Sequence, residues 1–183
     1  MEGQNKVRKF GIVVGLILTF IFILFLQVNV FPKFTINGIS PNLFVILVLF
    51  IGLFANQVHG ISFGVGIGLV LDLLYGKTIG VTAFMLCVVG YLGSYFDKNF
   101  SKENKFTIIF MVLGATFIFE LGSYFINSII LEFEREYFAF FKILIIECIY
   151  NVLLTIIIYP IMQKIGYMMD RSFKRNNILT RYF

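Results

Sequence analysis

Long apolar stretches alternate along this chain with short polar or turn-rich segments. A helix needs roughly 20 apolar residues to cross a hydrocarbon layer of about 30 Å, and six stretches approach or reach that length. They cover residues 10–30, 40–56, 58–75, 79–97, 105–131 and 139–160. The pattern predicts an all-α, polytopic membrane helix bundle of about six transmembrane helices, forming a single transmembrane domain over residues 1–183.

The first stretch follows a basic start and occupies the position of a signal peptide. Its apolar run, from Phe10 to Val30, is too long for the hydrophobic region of a signal peptide. It also lacks the small-residue ending that a signal peptidase cleaves. We therefore expect it to remain as a membrane anchor.

Composition supports a lipid environment. Hydrophobic residues make up 59% of the chain and charged residues only 14%, compared with about 45–50% and about 25% in soluble proteins. The net charge is +5, yet the basic residues lie in short loops and tails instead of one patch. The charge therefore indicates membrane topology and no nucleic-acid partner.

The basic residues are distributed unequally between the two sides of the predicted bundle. With the N-terminus inside, eleven of the 15 fall on the cytoplasmic side: Lys6, Arg8, Lys9, Lys98, Lys102, Lys105, Lys164, Arg171, Lys174, Arg175 and Arg181. The outer segments hold Lys33, Lys77, Arg135 and Lys142. This asymmetry predicts cytoplasmic N and C termini in a plasma membrane.

Residues 161–183 then form a cytoplasmic basic tail that lies along the membrane interface. Its cations either contact anionic membrane lipids or only determine topology.

The third stretch carries small residues at four-residue intervals. The series is Gly60, Gly64, Gly68, Asp72, Gly76 and Gly80. Such a ridge allows another helix to approach closely, so we expect this helix to be the central packing helix of the bundle. Asp72 is either an outer-end cap that bonds the turn at Lys77 and Thr78, or a residue of a docking surface or cavity.

Polar residues form a stripe on each of the last two predicted helices. The fifth carries Thr116, Glu120, Ser123 and Asn127, and the sixth carries Glu147, Asn151, Thr155 and Tyr159. Helical spacing places each set on one face, and we expect the two faces to meet. An unpaired charge at mid-bilayer costs about 2.5–3.5 kcal/mol, so the carboxyl groups are either partly protonated or line a water-filled cavity. We infer an intramembrane polar cavity open to the outside; hydrogen bonding between helices without a ligand is the alternative.

The sequence predicts no catalytic, metal or cofactor site. His59 is the only histidine, and Cys87 and Cys148 belong to no metal-ligand or redox motif. A nucleotide-binding glycine loop is also absent. A catalytic acid pair of Glu120 and Glu147 is the one formal alternative to a non-enzymatic protein.

Four short motifs follow one another between Ser40 and Pro160. They are Pro41-Asn42-Leu43, Gly64-x3-Gly68-x3-Asp72-Leu-Leu-x-Gly76-x3-Gly80, Gly90-Tyr91-Leu92 and Asn151. Together with the six-span layout and the basic tail, this order resembles the rod shape-determining protein MreD family. The resemblance includes no counterpart of Glu120 or Glu147, so the inferred cavity depends on this sequence alone.

The resemblance implies a non-enzymatic membrane scaffold of the bacterial cell-wall elongation complex that maintains rod shape. Its expected partners are MreC, the actin-like MreB, a glycan polymerase and a transpeptidase. Partner docking or helix packing is then expected at Pro41, Asn42, Gly64, Gly68, Asp72, Gly76 and Gly80.

The alternative function is that of a substrate-capture subunit of an energy-coupling-factor vitamin transporter, also a six-helix membrane protein with an outward cavity and similar in fold. Those subunits dock through an Ala-x3-Ala pair on the first helix, where this chain has Gly11-x3-Gly15.

Overall fold

The computed structural model describes residues 2–75, 78–100, 104–131 and 136–173, with side chains from Phe10 onward except that of Arg171. Six helices make up this part of the chain: α1 (Glu2–Asn29), α2 (Leu43–Phe54), α3 (Gln57–Tyr75), α4 (Val81–Asn99), α5 (Lys105–Ile130) and α6 (Tyr137–Phe173). A single 3-10 turn, Phe31–Lys33, follows α1, and these ranges contain no β-strand. The predicted all-α membrane helix bundle is confirmed.

The six helices differ in their capacity to cross a membrane. Helices α1, α3, α5 and α6 are long and apolar enough to do so, and α4 is less apolar. Helix α2 has 12 residues, which gives a length of about 18 Å, well short of a hydrocarbon layer of about 30 Å. The predicted spans 40–56 and 79–97 correspond to α2 and α4, and their crossing of the membrane stays a prediction.

Helix α2 occupies the centre of the bundle. Every one of its 12 residues is buried, and it contacts all five other helices. The glycine ridge predicted that α3 would be central, and the structure corrects this. A helix that is apolar all round is buried on all sides, whereas α3 exposes Leu69, Val70 and Leu73.

Glycines allow the backbones of α2, α3 and α4 to contact one another directly. A methyl group added at Gly60 of α3 would lie 2.7 Å from the Cα atom of Gly52 in α2. One added at Gly93 of α4 would lie 3.0 Å from the backbone nitrogen of Leu53. Any side chain at these positions would push the helices apart, so their glycines determine how closely the three helices pack.

Helix α6 continues from the last predicted span into the segment predicted as a basic interfacial tail. It runs for 37 residues with Pro160 inside it, which corresponds to about 55 Å. Residues 161–173 pack on the bundle because Gly166 leaves room for the ring of Phe54, and the ring of Phe173 lies 4.4 Å from that of His59. The position of residues 161–183 as a basic tail at the cytoplasmic membrane interface stays a prediction, and residues 174–183 lie outside the described part.

Candidate functional site: polar side chains and cavities of the bundle

Asp72 lies near the end of α3 and is 2% exposed. Its Oδ2 atom accepts hydrogen bonds from the backbone N–H groups of Gly80 (2.8 Å) and Ala83 (3.1 Å), and Oδ1 accepts one from Thr82 (3.2 Å). These N–H groups belong to the start of α4, where Gly80 offers no side chain of its own. Asp72 therefore caps the start of α4, and Lys77, which the sequence suggested as part of its bonded turn, lies outside the described residues.

The other glycines of the predicted ridge have different environments. Gly64 and Gly68 are buried, and a side chain at either would collide with the backbone of α4, at Leu86 or Ala83. Gly80 adopts φ +100° at the N-cap of α4, a left-handed conformation that favours glycine. Gly76 lies outside the described residues.

The start of α2 lies among polar groups from α1 and from α2 itself. Asn42 Oδ1 accepts a hydrogen bond from the Val45 N–H group (3.4 Å). From α1, Gln27 donates to the Pro41 carbonyl oxygen (2.7 Å) and accepts from the Leu43 N–H group (3.4 Å). The first N–H groups of a helix have no partner within it, and lipid offers none. These side chains therefore allow a short helix to begin inside the bundle.

The predicted polar stripes of α5 and α6 face each other. Asn151 is fully buried; it donates to Thr116 Oγ1 (3.0 Å) and accepts from the Asn42 N–H group (2.9 Å). Thr155 donates to the Asn151 carbonyl oxygen one turn away (2.7 Å). Asn151 thus joins α2, α5 and α6 through hydrogen bonds.

Two carboxyl groups meet one turn from Asn151. Glu147 interacts with the carboxyl group of Glu120 and with the Asn42 side chain. Its Oε1 atom is buried and has no hydrogen-bond partner within the described ranges, and the same holds for the hydroxyl oxygen of Ser123. Asn127 accepts a hydrogen bond from Thr78 (2.6 Å).

The carboxyl pair lies between two cavities at one end of the bundle. The larger, of about 540 Å³, is lined among others by Gln27, Asn42 and Glu147, and the smaller, of about 470 Å³, by Glu120, Ser123 and Asn127. Tyr75 and Thr82 line both. The described lining residues include no lysine, arginine or histidine. Nowhere in the described ranges do three or more histidine, cysteine, aspartate or glutamate side chains form a possible metal site.

The family model of the rod shape-determining protein MreD matches residues 7–168. The chain belongs to the MreD family. No curated protein and no solved structure matches it. Membership gives this chain a role in rod-shape determination, associates it with the rod-shape elongation machinery and makes it an integral inner-membrane protein.

Sequence reasoning missed Tyr75 and Thr82, which line both cavities of this MreD-family site, and also Gln27. Gln27 is a single polar side chain near the end of the first apolar stretch, and nothing at helical spacing marks it as part of a stripe. Its only signal was a polar amide at membrane depth, where a partner is required. The structure provides that partner at the start of α2.

Proposed function

We propose that this chain is a non-enzymatic membrane scaffold that docks MreC and associated wall-synthesis proteins, with both termini in the cytoplasm. The match to the MreD family over residues 7–168 is the observation that carries the proposal. The densely packed bundle around α2 supports it, since a scaffold has to present fixed surfaces to its partners.

The docking surface differs from the one suggested by the glycine ridge. Gly64, Gly68 and Asp72 are already in contact with α4, so they cannot receive a partner helix. The opposite side of α3 carries Ser62, Gly66 and Val70 at four-residue intervals, and these line a groove of about 310 Å³ beside Ile17 and Phe20 of α1.

The groove has the properties of a helix-docking surface in lipid. A methyl group added at Gly66 would have nothing within 4 Å, which leaves room for close approach of another backbone. Only 6% of the residues in the apolar segment of α1 are buried, so most of this helix has no neighbour within the described bundle. We assign this groove to a single apolar transmembrane helix, that of MreC.

A substitution that fills the groove tests this assignment. Gly66→Leu places an isobutyl group where the partner helix would lie, and we expect at least about tenfold less MreC to co-purify with the variant in mild detergent. Gly114→Leu on α5 is the matched control, because Gly114 also has open space around it and does not line the groove. Equal MreC recovery with the wild type and Gly66→Leu would refute the groove as the docking site.

Depletion of the protein in its own host tests the function itself. Cells grown in vitamin-replete medium should become round, and labelled wall precursor should lose its pattern along the cell length. The transporter alternative predicts normal rods in this medium and a growth defect only when one vitamin is scarce. Normal rods would therefore contradict the scaffold proposal, whatever the result for Gly66→Leu.

A further inference from the structure

Most polar side chains within the bundle complete the hydrogen bonding of a helix end or of a neighbouring helix. Asp72 caps α4, Gln27 and Asn42 bond the start of α2, and Asn151 links three helices. The Glu120 and Glu147 pair caps no helix in the described structure. Packing alone therefore does not explain two carboxyl groups at this depth, where each is costly.

Glu147 has a buried carboxyl oxygen without a hydrogen-bond partner in the described ranges, and the residue lines a cavity. The residue is 7% exposed and lines the larger cavity, and its Oε1 atom has no partner among the described groups. Ser123 has an unpartnered hydroxyl oxygen on the smaller cavity. A buried acceptor without a donor costs about 1–3 kcal/mol, and more when charged. A ligand that brings hydrogen-bond donors would recover this cost.

The lining indicates the charge of that ligand. Two neighbouring carboxyl groups do not attract an anion, and the described lining residues provide no lysine, arginine or histidine to hold one. Aromatic residues line the same cavities: Tyr75 borders both, and the rings of Tyr124 and Phe140, which line the smaller one, stack on each other with centroids 4.1 Å apart. Carboxylates and aromatic faces are the groups that proteins use to hold ammonium groups.

We propose that the two cavities form one binding site for a ligand that carries a primary ammonium group, held by Glu147, Glu120 and Ser123. A cavity of about 540 Å³ is in the range of small-molecule sites. Some lining side chains are exposed at the surface of the bundle. Tyr75, on both cavities, is 58% exposed, and Leu131 and Ile143, on the smaller cavity, are 42% and 40% exposed. The ammonium group therefore arrives either on a soluble amine or on the headgroup of an aminophospholipid. This site is separate from the proposed helix-docking groove and does not depend on it.

The test uses the full chain in nanodiscs, with the midpoint of thermal unfolding and native mass spectrometry as readouts. In phosphatidylglycerol nanodiscs, putrescine is titrated against neutral butanediol of the same chain length. In a second arm, phosphatidylethanolamine replaces half of the lipid. We expect putrescine or phosphatidylethanolamine, and not butanediol, to raise the midpoint and to remain bound in the mass spectrum.

Substitutions test whether the amine binds at the two cavities. Glu147→Gln should weaken amine binding at least about tenfold by removing a charge-assisted hydrogen bond, and Ser123→Ala should weaken it less. Glu136→Gln is the matched control, because it removes an exposed carboxyl group that lines neither cavity.

A response to putrescine assigns the site to soluble amines, and a response to phosphatidylethanolamine alone assigns it to the lipid headgroup. The proposal is overturned if the wild type responds to neither putrescine nor phosphatidylethanolamine. It is also overturned if Glu147→Gln responds as strongly as the wild type. If Glu147→Gln fails to fold, Ser123→Ala decides the outcome: weaker amine binding than in the wild type supports the proposal, and unchanged binding overturns it.

Discussion

Asp72 supplies from α3 the capping group that α4 lacks. Ser, Thr, Asn or Asp usually occupies the N-cap position, but the left-handed backbone there requires Gly80, which has no side chain. A carboxylate at this end of a helix also interacts favourably with the helix dipole. The sequence placed Asp72 near the outer helix end, but the N–H groups that it bonds depend on the fold of the turn, which residue spacing does not determine.

Removal of this cap should destabilise the protein. We expect Asp72→Ala to lower the free energy of unfolding by about 2 kcal/mol and Asp72→Asn by about 1 kcal/mol, because an amide retains an acceptor oxygen without the charge. Denaturant titration in detergent micelles followed by circular dichroism measures both. Leu73→Ala on the same helix, at a side chain that is 72% exposed, serves as control and should change stability by less than about 0.5 kcal/mol. An Asp72→Ala protein as stable as this control would contradict the capping role.

At the scale of whole helices, the sequence predicted which helix faces pack closely better than it predicted which helix lies at the centre. Small residues four apart on α3 indicated a close helix neighbour, and Gly64 and Gly68 indeed meet α4. The ridge did not reveal which helix is central, because that depends on the lack of any polar face on α2. The polar stripes of α5 and α6 were predictable as facing surfaces because an unsatisfied polar group in lipid requires a partner.

The two faces of α3 should respond differently to the same substitution. A methyl group at Gly68 would lie 2.7 Å from the Ala83 backbone nitrogen, so Gly68→Ala should destabilise the protein by about 1–3 kcal/mol through overpacking. Gly66→Ala introduces the same methyl group with nothing within 4 Å. It should be neutral, or stabilising by up to about 1 kcal/mol, since alanine favours helix.

Thermal unfolding of the two alanine variants in one detergent gives the comparison directly. Equal midpoints would show that the contact between α3 and α4 tolerates a side chain and is looser than the structure indicates.

For the molecule as a whole, the structure gives the direction of each helix relative to its neighbours, and the charges predict which end faces the cytoplasm. The polar cavities lie at the end where α3 and α5 finish and α4 and α6 begin. The distribution of basic residues among the loops predicts that this end faces the outside. Which end of the bundle faces the cytoplasm depends on the loop charges and the membrane together. The packing of the helices therefore does not reveal the orientation.

Cysteine labelling in intact cells tests this orientation. In a Cys87→Ala, Cys148→Ala background, Ile36→Cys places a thiol in the exposed connection after α1, and Asn99→Cys places one at the exposed end of α4. A membrane-impermeant maleimide should label Ile36→Cys in intact cells and Asn99→Cys only after permeabilisation. The reverse pattern would overturn the proposed cytoplasmic termini.

The shortness of α2 also has a consequence for biosynthesis. About 18 Å of helix cannot hold both of its ends at the two lipid headgroup layers, and no residue of α2 has a substantial surface facing lipid in the finished protein. During translation α2 therefore depends on later segments, and the short connection of two residues, Ala55 and Asn56, between it and α3 favours insertion of the two as one hairpin. A nascent chain released after Phe54 should lack a stable second crossing, and the central helix of the bundle is then among the last to reach its final surroundings.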